Sequence, residues 1–165
     1  MTNVLRNVRA ARLVATLVAA LAIGACAKNS ADQNPGLANA SAATPGSQQD
    51  FVVNVGDRVF FESDSSELTP QAVQTLERQA QWLRSYPQYA FLIEGHADER
   101  GTREYNIALG ARRAQATRDY LASRGVQGQR MRTISYGKER PVAVCNDISC
   151  WSQNRRAVSV LNAGS

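Results

Sequence analysis

Apolar and polar positions change rhythm several times along this chain, and each change predicts an element. Asp57-Arg58-Val59-Phe60-Phe61 reads as a strand. Thr69 then offers an N-cap and Pro70 a first helical residue, and Val73, Leu76, Ala80 and Leu83 follow at helical spacing until Tyr86-Pro87 ends the run. Tyr89 to Gly95, YAFLIEG, is aromatic and aliphatic and predicts a second strand. A second helix is expected from near Arg103 to Gly125, where Arg124 gives a basic last turn and the glycine a stop. Arg132–Tyr136 and Ala157–Leu161 are the last two strand candidates. Strands alternating with helices predict an α+β sandwich, one sheet with two helices on a face.

The front of the chain follows another pattern. Arg6, Arg9 and Arg12 precede LVATLVAALAIGA (Leu13 to Ala25), an apolar run too short to cross a bilayer core of about 30 Å comfortably, so residues 1–25 read as a signal peptide. The run ends Ile23-Gly24-Ala25-Cys26, which resembles the lipobox of bacterial lipoproteins; that resemblance implies cleavage before Cys26 and acylation of its thiol. Two or more acyl chains anchor a protein stably, whereas one holds it only marginally. From Ala27 to about Gln49 the sequence is small, polar and broken by Pro35, Gly36, Pro45 and Gly46, with too little apolar surface to offset chain entropy. A flexible tether over residues 26–50, with a root-mean-square reach of roughly 25 to 30 Å, would then carry a folded domain over residues 51–165.

Composition changes this picture little. At 165 residues and 17.9 kDa the length suits one domain plus such a leader and tether. The formal charge of +5 is inflated by the leader: setting its three arginines aside leaves 16 of the 19 basic residues against 14 acids. A nucleic-acid footprint is therefore not supported.

The densest chemistry lies in GHADERGTREYNIALGARRAQ, from Gly95 to Gln115. His96 to Gly101 leaves the second strand as a loop, while Asn106, Leu109 and Arg113 share one face of the following helix. Asp98 and Arg113 can thus approach across the helix start. An aspartate suits an ammonium, the planar fork of an arginine suits a carboxylate, and a group with both charges on one carbon needs both partners. Helix N-terminal amides and the Asn106 side chain would complete the carboxylate's hydrogen bonds. The same spacing also suits a plain ion pair between Asp98 and Arg113, and spacing does not separate the two readings.

EGHADERGTREYNIALGARRA, with VFFESDSSEL before it, SYGKERP after it and NRRAV near the end, closely resembles the peptidoglycan-associated lipoproteins of the Tol-Pal envelope system, a branch of the OmpA-like peptidoglycan-binding domains. The resemblance covers about Asp57 to Leu161 and implies an OmpA-like βαβαββ fold with a mixed sheet. It further implies non-covalent binding of the diaminopimelate residue of peptidoglycan stem peptides, whose side-chain end carries an amine and a carboxylate on one carbon. The family's key aspartate and arginine fall on Asp98 and Arg113, Asn106 and Leu109 match further pocket positions, and Phe61 and Glu62 match the other wall. There the family's commoner FDxD becomes Phe61-Glu62-Ser63-Asp64, one methylene longer at the acid, which leaves ligand contact by Glu62 open. The implied partners are peptidoglycan, TolB and the other Tol proteins, with the wall and TolB competing for overlapping surface. The implied setting is the outer membrane, reached through the lipid on Cys26, with the domain facing the periplasm and a role in envelope integrity and cell division. Ala27, in place of the aspartate that retains many such lipoproteins in the inner membrane, agrees with that setting.

Other residues invite other chemistry. His96 with Asp98 forms an HxD, but the chain has no second histidine and no clustered thiols for a metal, and no nucleophile with an oriented base. His96 is expected to be structural, and neither catalysis nor a cofactor is expected. Cys145 and Cys150 lie close in sequence in a compartment where thiols oxidise, which favours a local disulfide over two free thiols. Arg155 and Arg156 point to opposite faces of a strand, and the resemblance places them at the pocket rim or in supporting hydrogen bonds. Two rival classes differ in what they require: a wall-modifying enzyme needs a catalytic constellation that these residues do not supply, and a structural lipoprotein or stator-type anchor would share the OmpA-like domain but work with other partners, a motor stator needing a membrane span beyond the leader.

Overall fold

The structure is a computed structural model that describes residues 43–163, with side chains through Leu161. The expected signal peptide, the lipidated Cys26 and the first part of the tether lie outside the described residues.

Four strands and three main helices follow in the order β1 (Arg58–Phe60), α1 (Pro70–Ser85), β2 (Tyr89–His96), α2 (Arg103–Ser123), β3 (Met131–Gly137), α3 (Ile148–Asn154) and β4 (Arg156–Ala163). The sheet runs β1-β4-β2-β3, with β4 antiparallel to both neighbours and β2 parallel to β3. This is the expected α+β arrangement with a mixed sheet, α2 lying over β2 and β3 and α1 beside β1 and α2.

Side-chain caps start both long helices, the first of them as read from sequence. Thr69 accepts a hydrogen bond from the Ala72 amide with Pro70 in the first turn, and Thr102 accepts one from the Tyr105 amide. The first helix buries Leu76, Ala80 and Leu83 against Phe91 and Ile93 of β2, in one core that also takes in Val59, Leu121 and Leu161. Burying side chains of this size contributes about 1.5–3 kcal/mol each.

Two segments differ from the sequence expectation. Helical structure is present ahead of Phe51, inside the stretch read as tether. Ser47 caps a helical turn at Gln48–Asp50, which passes into a wider π-type turn over Phe51–Val55. The polar composition hides what holds it: the Asp50 carboxylate accepts from the Gly46 amide and from the Trp82 indole, and Phe51 is fully buried with its ring 5.0 Å from that of Trp82. The other is α3, which carries Trp151 and was not apparent from periodicity because it is short.

One close approach positions α2. A side-chain carbon on Gly95 of β2 would stand 1.8 Å from the Gly110 carbonyl oxygen, and one on Gly110 would meet Ser135 Oγ at 2.4 Å. Two residues without side chains let the helix backbone rest on the strand, and Ser135 Oγ locks the contact by donating to the Ile107 carbonyl at 2.7 Å. Asn106, Leu109 and Arg113 are thereby held against the end of β2.

Candidate functional site

Where β2 ends, the chain turns through Ala97-Asp98-Glu99-Arg100-Gly101 before α2 begins. The turn is clamped from two sides. Asn106 Nδ2 donates to the Arg100 carbonyl at 2.8 Å, and Lys138 Nζ donates to the carbonyls of Glu99 and Gly101 at 3.1 and 2.7 Å. Above it opens a cleft of about 250 Å³ whose wall includes Asp98, Asn106, Leu109, Tyr105, Ser63 and Asp64. Tyr105 joins the opposite loop by donating its hydroxyl to Asp64.

Asp98 is the buried acid of this cleft. Burial pushes its carboxyl upward, but hydrogen bonds from the Arg100 side chain and amide, the Arg100 charge and a hydrogen bond from Arg155 outweigh that, leaving it below the ordinary value of 3.8. It is therefore ionised at neutral pH. Arg100 holds it bidentately, and Arg155 Nη1 stands 3.5 Å from Oδ2 while its Nε donates to the Phe61 carbonyl.

Arg113 is committed to the backbone on three sides. It is fully buried, and it donates from Nε to the Ser65 carbonyl, from Nη1 to the His96 carbonyl and from Nη2 to the Glu62 carbonyl, at 2.8, 2.8 and 3.1 Å. The guanidinium thus ties the loop after β1 to the end of β2, with one N–H left on each terminal nitrogen. Burial first, and then the nearby Arg155 charge, push its pKa down to about 10, with Asp98 and Asp64 opposing. It remains charged at neutral pH. The plain ion pair between Asp98 and Arg113 does not form: the ion pairs of Asp98 go to Arg100 and Arg155.

Of the residues singled out in sequence, Asp98, Asn106 and Leu109 meet in the cleft, with Arg113 anchoring both of its walls from within. Phe61 is buried with its ring centroid 5.2 Å from the Arg113 guanidinium, supporting that residue through its π face. The exposed Glu62 engages Arg113 through its backbone carbonyl, and its side chain lines a neighbouring groove of about 380 Å³ with Gln71, Gln153 and Arg155. Arg155 stands between the two hollows. Arg156 donates instead to the carbonyls of Asn154 and Arg140, so the two adjacent arginines serve different places. Sequence reasoning missed Arg100 and Asp64, which lie in irregular loops with no periodicity to read, and Tyr105, whose partner Asp64 is 41 residues away in the chain; the run DER was the available signal for Arg100.

His96 fits the structural expectation in position. It is 2% exposed, neither ring nitrogen has a hydrogen-bond partner, and Glu94 stands 3.6 Å from Nε2. Burial, with the charges of Arg156 and Arg140, pushes it down to about 4. Cys145 and Cys150 are joined as a disulfide at the base of α3. Among the described residues no group of acids, histidines or cysteines is arranged to hold a metal, and no helix is long and apolar enough to cross a membrane.

Residues 60–160 match the OmpA family. The chain is 70% identical to the peptidoglycan-associated lipoprotein of Rhizobium meliloti over 153 residues, covering 90% of this chain and 87% of that protein. It is 62% identical to the protein of the same name from Brucella melitensis, covering 96% of each. Among solved structures, the peptidoglycan-associated lipoprotein from Burkholderia pseudomallei superimposes with a TM-score of 0.63 at 46% identity, covering 64% of this chain and 90% of that one. The C-terminal domain of Helicobacter pylori MotB gives a TM-score of 0.62 at 22% identity, covering 66% and 86%, which is a likeness of fold alone.

Proposed function

We propose a function from one fixed premise: the chain belongs to the OmpA family, among its peptidoglycan-associated lipoproteins. That family consists of structural wall-binding proteins and not of enzymes, and the chain is accordingly a peptidoglycan-associated envelope lipoprotein. Beyond this, our reading is that the Asp98 cleft receives the side-chain end of diaminopimelate in a peptidoglycan stem peptide. Cys26 carries the acyl chains that hold the protein in the outer membrane, the domain faces the periplasm, and the two attachments link membrane to wall. As part of the Tol-Pal system the chain would also engage TolB and the other Tol proteins in envelope integrity and cell division.

The observation that carries the reading is an ionised, nearly buried carboxylate at the wall of an open cleft with guanidinium groups on two sides. An ammonium replaces a guanidinium on Asp98 at little electrostatic cost, and the carboxylate on the same carbon then meets the positive side of the site and the one Asn106 Nδ2 hydrogen not held by the Arg100 carbonyl. Leu109 supplies the apolar contact for the methylene stem, and Arg113 with Phe61 keeps the two walls at their spacing.

Co-sedimentation with purified sacculi tests this. Wild-type chain is expected to pellet with the wall. Asp98→Ala should stay folded and lose retention. Arg113→Ala should lose retention as well, through both walls, with a lowered melting temperature. Retention of Asp98→Ala at the wild-type level would refute the proposal.

A further inference from the structure

Arg100 already sits where a ligand ammonium would have to go. Its Nη2 is 2.7 Å from Asp98 Oδ2 and its Nε 3.1 Å from Oδ1, so both carboxylate oxygens are engaged. Yet its side chain is 44% exposed, and an exposed ion pair contributes little to stability. The same guanidinium has two further resting contacts at the cleft mouth: Nη2 donates to Ser63 Oγ at 2.8 Å, and its central carbon lies 4.3 Å from the centroid of the Trp151 ring. Arg113 offers the contrast, fully buried and committed to three backbone carbonyls. Asn106 and Lys138 pin the backbone of the turn, so Arg100 can leave Asp98 by side-chain rotation about a fixed main chain.

Resting on the reading of this cleft as the diaminopimelate site, we propose that Arg100 is the residue that makes it selective for a zwitterion: it holds Asp98 while the cleft is empty, yields that acid to the ligand's ammonium, and turns its freed guanidinium onto the carboxylate borne by the same carbon. The charge count decides the selectivity. A simple amine takes Asp98 and leaves Arg100 without its paired carboxylate, held only by Ser63 and Trp151. A zwitterion takes Asp98 and returns a carboxylate within reach, so both ion pairs are restored in a new pairing. Trp151 gives the swinging guanidinium a flat face to slide over, which favours arginine over lysine at this position.

Two probes separate the cases: a disaccharide tetrapeptide with meso-diaminopimelate at its third position, and the same compound with lysine there, which keeps the amine and lacks the carboxylate. Each is titrated into full-length wild type, Arg100→Gln, Arg100→Lys and Asp98→Asn. Wild type is expected to prefer the diaminopimelate probe by about tenfold, and Arg100→Gln to narrow that to about twofold, by binding the first probe less and the second more tightly. Arg100→Lys should recover part of the preference. An unchanged ratio in Arg100→Gln would overturn the role of Arg100 while leaving the cleft as the binding site. A wild type that binds neither probe, or an Asp98→Asn variant that matches wild type on both, would overturn the site itself and this inference with it.

Discussion

His96 is a buried titratable ring at the end of β2, close to the Asp98 cleft, and neither of its ring nitrogens has a hydrogen-bond partner. Its ring is buried, faces Glu94, Arg156 and Arg140, packs 5.7 Å from Tyr136, and stays neutral because its pKa is pushed down from 6.5 to about 4. An unfolded chain binds the proton near 6.5 and the folded chain does not, so this residue removes stability as pH falls from about 6.5 toward 4 and has no effect above that window. Equilibrium urea unfolding between pH 7 and pH 4.5 should show that loss, and His96→Gln should flatten it. The lowered carboxylates Asp50, Asp98 and Asp147 lose their contribution only as pH falls below about 5, so the span from 6.5 to 5 reports the histidine. Residue identities at the site were legible in sequence, but their roles were less so. The resemblance assigns Asp98 to the site, since its spacing from Arg113 suits a plain ion pair equally well. The backbone role of Arg113 was not legible, since the three carbonyls that converge on its guanidinium come from Glu62, Ser65 and His96, far apart in the chain and silent in any pattern of side chains.

At the scale of elements, the site depends on how closely α2 rests on β2. Gly95→Ala would drive a methyl group into the Gly110 carbonyl, and overpacking of this kind costs about 1–3 kcal/mol. A lowered melting temperature together with weakened wall retention is the expected result, and an unchanged melting temperature would show that the helix can withdraw freely. The disulfide acts on α3, whose Trp151 stacks on Arg100 and donates from its indole to Glu99 at 3.0 Å. Closing so short a loop stabilises by about 2 kcal/mol in the chain-entropy description. Reduction should therefore lower the melting temperature modestly, and should loosen Trp151, visible as a change in its fluorescence. Both long helices were readable because caps and apolar spacing mark them in sequence. The turn before β1 and α3 were not, because each is held by a few long-range contacts, Asp50 to Trp82 in one case and Asn154 to the Val142 and Ala143 amides in the other.

For the whole molecule, the near balance of charge once the expected leader is set aside argues against diffuse electrostatic attraction to the wall and for the specific cleft proposed above. A weak site suffices when the protein is confined at a second point, since a tether raises the effective concentration of the domain at the wall and many copies act together. The same reasoning makes isolated binding the decisive observable, because multivalent retention on sacculi multiplies whatever the single cleft provides. Calorimetric titration of a meso-diaminopimelate muropeptide into wild type and Asp98→Asn measures that single cleft. Saturable wild-type binding at one ligand per chain, weakened by about ten- to a hundredfold in Asp98→Asn, is the expected result; equal affinity in the two proteins would contradict the assignment of Asp98 as the acid that receives the ligand.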